Sequence, residues 1–430
     1  MATYSLSRKR QIEYSARRPT KTDLYRLVFN YRDTFERSWE TFFQHDYGAL
    51  RHEVLDALDK YLNCGILAHG VARAVCPKCN NSILVAFSCK RRCLCPSCDA
   101  KRSLVFTENL VSNILLPYPQ RHLVFSIPKR LRCYFRFNRK LMSHLYAAAW
   151  NAWDDYVQEE TSASDDAHTG MVSALHTAGD LLAWHPHSHN IALSGAVDAC
   201  GNFHELPLTL NTDRVCELFR NNVFSALVKE NLLDEETVDS MKTWVHSGFS
   251  VFASEPIAFN DKDRLLFLAR YLKRCPVSNE RMEIDESDEC NPIVKYSSYR
   301  DNKVSTRTFT PLKFLAEISQ HLPLIWEQTT RFFGLYSART RGAAAKTKLS
   351  ASNNEFSPIE NEPARKPSIS WAKAMKQVFN VDPLTCPRCG EIMKIKSFIH
   401  DSKEIKRICQ NLGIVPWRAP PAMAIISLAA

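Results

Sequence analysis

Two cysteine pairs, CPKC at 76–79 and CPSC at 95–98, constrain this chain more than any other feature. Four thiolates closed on one cation fix the segment between them into a loop, whatever core forms elsewhere. The pairs follow C-x2-C-x15-C-x2-C, a spacing that fits a tetrahedral zinc site. One structural Zn2+ held by Cys76, Cys79, Cys95 and Cys98 is the expectation, with 64–103 as a zinc-binding module. Cys89 and Cys93 lie between the pairs, and Cys64 and His69 just before them; any of these is an alternate ligand. Buried free thiols, and a zinc module that only stabilises the fold, are the competing readings. A further pair, CPRC at 386–389, is half a site that His400 and Cys409 could complete; otherwise it is a small cysteine-containing turn.

The rest of the composition sets the surroundings. A chain of 430 residues is too long for one ordinary core and predicts two or three domains. No apolar run approaches the ~18 residues of a membrane span. The N-terminal MATYSLSRKRQIEYSARR is basic but lacks the apolar stretch of a secretory signal. A cytoplasmic location is therefore expected, in which the 15 cysteines are thiols or metal ligands rather than disulfides. Fifty-six basic against 46 acidic residues give a net charge of +10, which suits a polyanion such as nucleic acid. Lys78, Lys90, Arg91, Arg92, Lys101 and Arg102 surround the cysteine pairs, where they would lower thiol pKa values and offer phosphate contacts.

Hydrophobic periodicity predicts a helical N-terminal region over 20–62, a strand at 121–128 and a helix over 141–157. GMVSALHTAG (170–179) and HPHSHNIALSGAV (185–197) read as paired strands with a short connection. Helical spacing returns at 212–232, a strand near 248–254, and a strong helix over 261–275 that Asp261 or Asn260 caps and Pro276 ends. Two strand-like pieces (293–300 and 303–310) precede a helix at 311–320, and the polar, Pro-containing 346–368 reads as a linker. The order predicts an α+β domain around an antiparallel sheet.

Within the second of the paired strands, His185, His187 and His189 stand at alternate positions and share one face if the segment is extended. Neutral imidazoles so arrayed can hold a divalent metal; they can also be ordinary hydrogen-bonding groups. A metallo-β-lactamase-like His-x-His-x-Asp-His site is excluded, because Ile191 and Ala192 occupy the positions of its aspartate and last histidine. An amidohydrolase barrel would need repeated βα units that are not visible. The remaining catalytic reading is a phosphodiester polarised by a metal on the histidines and attacked by a separate side chain. Tyr271, in FLARYLKRC, is a candidate attacking group, with Arg270, Lys273 and Arg274 adding positive charge; alone it would read as a half-buried helix tyrosine.

His187-Ser188-His189 resembles the HUH motif of rolling-circle endonucleases, and Tyr271 resembles the tyrosine that accompanies it. CPKCNNSILVAFSCKRRCLCPSCDAKRS, RHLVFSIPKRLR, HPHSHNIALSG, GFSVFASEPI through RYLKRCP, FFGLYSARTRG and WAKAMKQVFNVDPLTCPRCGEIMKI together resemble the transposases of the IS-ninety-one group and the common-region insertion sequences, over roughly residues 25–400. The resemblance implies an HUH-endonuclease-like antiparallel sheet with helices over 104–340, after a helical region (1–63) and the cysteine module. A linker (341–370) and a C-terminal tail with the last cysteine pair (371–430) would follow. It implies an enzyme that nicks and rejoins single-stranded DNA at element termini and target sites through a 5′-phosphotyrosine. Tyr271 would attack, and His187 and His189 would hold catalytic Mg2+ or Mn2+, with His185 either a third ligand or a group that supports the ligands from behind. Arg270, Lys273, Arg274 and the basic residues of the cysteine module would meet DNA.

Two departures stand out. The middle of the histidine triplet is usually bulky and apolar but is Ser188 here. Many relatives carry a tyrosine four residues earlier on the nucleophile helix, where this chain has Phe267. A single-tyrosine mechanism is therefore expected. The alternative is a zinc-dependent DNA-binding protein without catalysis, a decayed transposase.

Overall fold

The computed structural model describes residues 19–161, 166–288, 290–300, 302–344 and 384–423. The expected linker, from 345 on, and the segment WAKAMKQVFNVDP lie outside the described residues. The helical region over 20–62 is three helices: α1 (Asp23–Phe42), α2 (Gln44–Tyr47) and α3 (His52–Leu62). Thr22 caps α1 by accepting a hydrogen bond from the Tyr25 amide at 3.3 Å. Leu24, Leu27, Val28, Tyr31, Phe35 and Trp39 recur at helical spacing and form its buried stripe. The hairpin β1 (Val71–Val75) and β2 (Ser82–Ala86) and helix α4 (Pro96–Asn113) complete the cysteine-bearing region.

Next come β3 (Gln120–Ser126), α5 (Arg132–Phe137), α6 (Met142–Thr161), β4 (Gly170–Ala178) and β5 (Trp184–Leu193). The predicted strand over 185–197 divides at Gly195, where a Cβ would lie 2.1 Å from the His204 carbonyl oxygen. From there a small pair forms, β6 (Gly195–Val197) with β7 (Phe203–Glu205). Helices α7 (Thr212–Lys229) and α8 (Glu235–Lys242), strand β8 (Ser250–Ala253) and helix α9 (Lys262–Tyr271) follow. Strands β9 (Met282–Asp285), β10 (Ile293–Arg300) and β11 (Lys303–Phe309) form a second antiparallel sheet. Helix α10 (Pro311–His321), strand β12 (Thr330–Gly334), and, after the undescribed stretch, β13 (Lys394–Ile399) and α11 (Ser402–Asn411) end the order.

The central sheet has five strands in the order β12-β4-β5-β3-β8, antiparallel throughout. Its two faces bury different sets, as the two-residue period of a strand requires. On one face Leu123, Phe125, Met171, Leu175 and Ala192 meet α6 and α7. On the other, Val172, Ala174 and Ile191 meet Leu110 and Val111 of α4 and Leu265, Leu268 and Ala269 of α9. The histidines of β5 share the parity of Ile191 and so lie on the α9 face. The β9–β11 sheet and α10 share a separate core with α1 and α3. Within β3, the fully buried Arg121 donates to Ser194 Oγ (2.8 Å) and to the carbonyls of Leu208 (3.1 Å), Ser254 (3.0 Å) and Pro207 (2.6 Å). That satisfies an otherwise costly buried cation and ties three segments to the sheet. Among the described residues, no helix is long and apolar enough to cross a membrane.

Candidate active site and cysteine clusters

Register places the histidines. His187 on β5 faces His176 on β4, and His189 faces Ala174 on one side and Val124 on the other. His176, His187 and His189 each offer one ring nitrogen within 4.8 Å of the others. His122 of β3 adds a fourth imidazole, its Nε2 3.1 Å from His189 Nδ1.

Hydrogen bonds fix which nitrogen each ring leaves free. His187 Nδ1 donates to the His185 carbonyl at 2.7 Å and His176 Nε2 to the Leu272 carbonyl at 3.3 Å. His187 therefore keeps Nε2 as a lone pair, and His176 keeps Nδ1. His189 Nδ1 is engaged by His122, and His189 Nε2 is buried without a partner. A buried ring nitrogen with nothing to bond is costly unless it meets a cation. Burial pushes His176 down to about 3 and His122 and His185 down to about 4. It also lowers His187 and His189, the latter further depressed by the neighbouring imidazoles. All five rings are neutral at physiological pH, the form that ligates metal. Three neutral imidazoles, each with a ring nitrogen within 4.8 Å of the others, fit a divalent ion.

Tyr271 closes the site. Asp261 caps α9, accepting from the Arg264 amide at 3.2 Å. The helix ends at Tyr271, earlier than the predicted 275 and well before Pro276. Lys273 and Arg274 instead close tight turns onto the carbonyls of Arg270 and Tyr271 (3.1 and 3.2 Å). The Tyr271 ring stands edge-on to His189, centroids 4.7 Å apart, and 6.0 Å from His176. The Arg274 guanidinium lies 5.8 Å from the Tyr271 ring. A cleft of about 870 Å³ opens over this group, lined among others by His176, His187, His189, Tyr271, Arg274 and Tyr299.

His185 stands outside the trio. Its ring is 4.9 Å from that of His187 and its Nε2 is buried without a partner, but what it gives His187 is its backbone carbonyl. His176, rather than His185, brings a ring nitrogen within 4.8 Å of those of His187 and His189. Ser188 points to the opposite face, is 2% exposed and accepts from Asn190 Nδ2 at 3.1 Å, so a small residue leaves no gap there. Phe267, one turn before Tyr271, is 74% exposed.

The cysteines part differently from their spacing. Cys76 and Cys79 sit at the tip of the β1–β2 hairpin; Cys64 and Cys89 flank its base. Strands of five residues hold tip and base roughly 16 Å apart. The expected set of Cys76, Cys79, Cys95 and Cys98 therefore cannot close on one ion. Cys95 and Cys98, at the start of α4, join Cys64 and Cys89 instead, with sulfurs 3.6–3.7 Å apart. Tetrahedral ligands at the zinc–sulfur distance would stand about 3.8 Å apart. Cys76 and Cys79 meet Cys386 and Cys389. Cys93 and His69 belong to neither set, and Cys409 is buried in a small apolar cluster with Val71, Leu84, Ile405 and Ile408. His400 lies against the Phe87 ring, centroids 5.0 Å apart.

Several basic residues expected to meet phosphate are used inside the protein. Arg91 pairs with Asp56 at 3.0 Å, and Arg92 donates to the carbonyls of Glu327, Leu324 and Ile325. Arg102 pairs with Asp99 and donates to the Lys90 carbonyl. Lys273 packs over the Phe106 ring at 5.0 Å, and burial lowers its ammonium to about 8. Lys90, Arg270 and Arg274 are exposed, and Lys101 is half-buried.

Comparison with known proteins adds two family matches. A "Transposase zinc-binding domain" model matches residues 34–127, and a "Putative transposase" model matches 170–344. The chain is similar to the "Transposase for insertion sequence element IS801" of Pseudomonas savastanoi pv. phaseolicola. The two are 26% identical over 360 residues, 80% of this chain and 84% of that one. It is also similar to "Putative transposase y4qJ" of Sinorhizobium fredii, 24% identical over 305 residues, 65% of this chain and 73% of that one. No solved structure matches.

Proposed function

We propose that this chain, which belongs to the IS-ninety-one transposases, moves DNA by nicking and rejoining one strand, with Tyr271 as the attacking residue. The proposal treats the central sheet as an HUH-type nuclease and residues 104–340 as its domain. The observation that carries it is the edge-on Tyr271 ring 4.7 Å from His189, beside three imidazoles with converging nitrogens. His176, His187 and His189 would hold Mg2+ or Mn2+, which neutralises charge on a non-bridging phosphate oxygen. Imidazole also suits zinc, so the choice of ion follows from the family resemblance rather than from ligand softness.

The chain's own groups do the rest. The half-buried Tyr271 phenol faces the cleft and is presented to phosphorus in place of water. Its oxygen forms the new phosphorus–oxygen bond, the 3′ oxygen of the neighbouring nucleotide leaves, and the phenolic proton balances that leaving group as a 3′-hydroxyl. The product is a 5′-phosphotyrosine, and attack on it by a 3′-hydroxyl reverses the step and joins strands. Arg274 stands where it can steady the phosphate during both steps. The His185 carbonyl holds His187 in the ligating tautomer, and the His122 ring engages His189 Nδ1 and leaves its Nε2 toward the site. Single-stranded DNA from the element's end is the substrate in this reading, and the cytoplasm is the place of action.

Incubation with a labelled single-stranded oligonucleotide from the element terminus and Mn2+, followed by a denaturing gel, tests it. The wild type should give a DNA-linked protein band and Tyr271→Phe none. A band of equal intensity from Tyr271→Phe would remove Tyr271 as the attacking group. DNA binding without cleavage under any divalent metal would instead favour a DNA-binding protein that has lost catalysis.

A further inference from the structure

We propose that Cys76, Cys79, Cys386 and Cys389 form a second tetrathiolate zinc site, half from each end of the chain, and that its ion latches the C-terminal segment onto the N-terminal module. The two halves are the same structure repeated. Cys76 N donates to the Asn81 carbonyl (2.8 Å) and Asn80 N to the Cys76 carbonyl (3.0 Å). Cys386 N donates to the Glu391 carbonyl and Gly390 N to the Cys386 carbonyl, both at 2.9 Å. The residue after the second cysteine is left-handed in both, Asn80 at φ 57° and Gly390 at φ 73°. These are residue types that tolerate that conformation. Such turns aim two sulfurs the same way, and here they face each other.

The sulfurs lie 3.5 Å (Cys76–Cys389), 3.6 Å (Cys79–Cys386) and 3.5 Å (Cys79–Cys389) apart. That is far beyond a disulfide at about 2.05 Å and near the edge of a tetrahedron around one thiolate-bound cation. Four sulfur ligands in this geometry select zinc over the hard divalent ions.

Strand pairing supplies the alignment. β13 runs antiparallel to β1, with Val71 opposite Ile399 and Val75 opposite Lys394, so the last strand extends the first hairpin. The apolar support is thin. Among the described residues, Ala74, Ile83 and Met393 pack with Cys76, Cys79 and Cys386, and Val71, Leu84, Ile405, Ile408 and Cys409 form a second small cluster. Beyond these, Met423 reaches the core of α1 and α3 and Trp417 meets the Phe29 ring. Phe398 of β13 remains 67% exposed. Clusters of this size usually need a staple such as a metal or a disulfide, even beside a paired strand. The inference does not depend on the nuclease reading.

Metal analysis of the full-length protein tests it. The wild type should carry about two zinc ions per chain, and the double variant Cys386→Ser, Cys389→Ser about one. Hydrogen exchange separates a local effect from misfolding: amides of β13 should lose protection in the variant while those of β5 keep it. Stepwise chelation of the wild type with thiol alkylation gives a second readout, in which Cys76, Cys79, Cys386 and Cys389 become reactive together. A single zinc in the wild type, a variant that keeps as much zinc as the wild type, or β13 protection unchanged by the substitutions would overturn the proposal.

Discussion

His176 and His185 flank the same pair of imidazoles, and one substitution of each separates their roles. His176 turns a ring nitrogen toward His187 and His189, whereas His185 contributes its carbonyl to His187. His176→Ala should lower strand cleavage by roughly 100-fold or more and weaken Mn2+ binding, because a ligand is lost. His185→Ala should change it by less than about 5-fold, since the backbone carbonyl survives. Cleavage rates and Mn2+ titration of both variants check this, and the opposite order would place His185 in the ligand set. The alternating histidines were legible in the sequence because the period of a strand is fixed. His176 was not singled out, although a hairpin folded about Leu181 and Leu182 sets it opposite His187. Both leucines are left-handed, at φ 50° and 64°, an unusual conformation for residues with a Cβ, so sequence alone does not reveal that tight connection.

At the scale of elements, the position of Tyr271 is a property of α9. Leu265 is fully buried between α4 and the sheet, about one and a half turns from Tyr271 on a helix seated by Leu268 and Ala269. Leu265→Ala should cost about 2–5 kcal/mol of stability in denaturant unfolding. Because the seat of the helix loosens, cleavage measured well below the unfolding midpoint should also fall. A variant that loses stability but cuts at the wild-type rate would show that α9 does not position the phenol. The cap at Asp261 was legible because it acts through local backbone geometry; the end of the helix was not, since Lys273 and Arg274 turn back onto the carbonyls of Arg270 and Tyr271 before Pro276 is reached. The cysteine partners were not. Spacing fixes geometry within a Cys-x-x-Cys turn, but a hairpin decides which end each turn occupies. The pairing of β13 with β1, across residues far apart in the chain, then decides which turn faces which. The strand β12 is not legible for a related reason: its five half-buried residues show no alternation, and only pairing with β4 makes them a strand.

For the whole molecule, the net charge of +10 predicts binding to single-stranded DNA that weakens as salt rises, by at least about 10-fold between roughly 50 and 200 mM. Arg91 and Arg102 should contribute little to that slope, because each is paired with a carboxylate, and Arg92 little because its guanidinium is held by three backbone carbonyls. Fluorescence anisotropy across a salt series checks this, and salt-independent binding would contradict it. The broad architecture, helices around an antiparallel sheet with a cysteine module near the N-terminus, follows from local periodicity. The joining of the two chain ends through β1 and β13 does not. The central claim, that the Tyr271 phenol attacks DNA beside the histidine trio, is tested most directly by digesting the covalent adduct and mapping the modified peptide by mass spectrometry. The account predicts the nucleotide on Tyr271 alone; a nucleotide on Tyr299, which lines the same cleft, or on any other residue would contradict it.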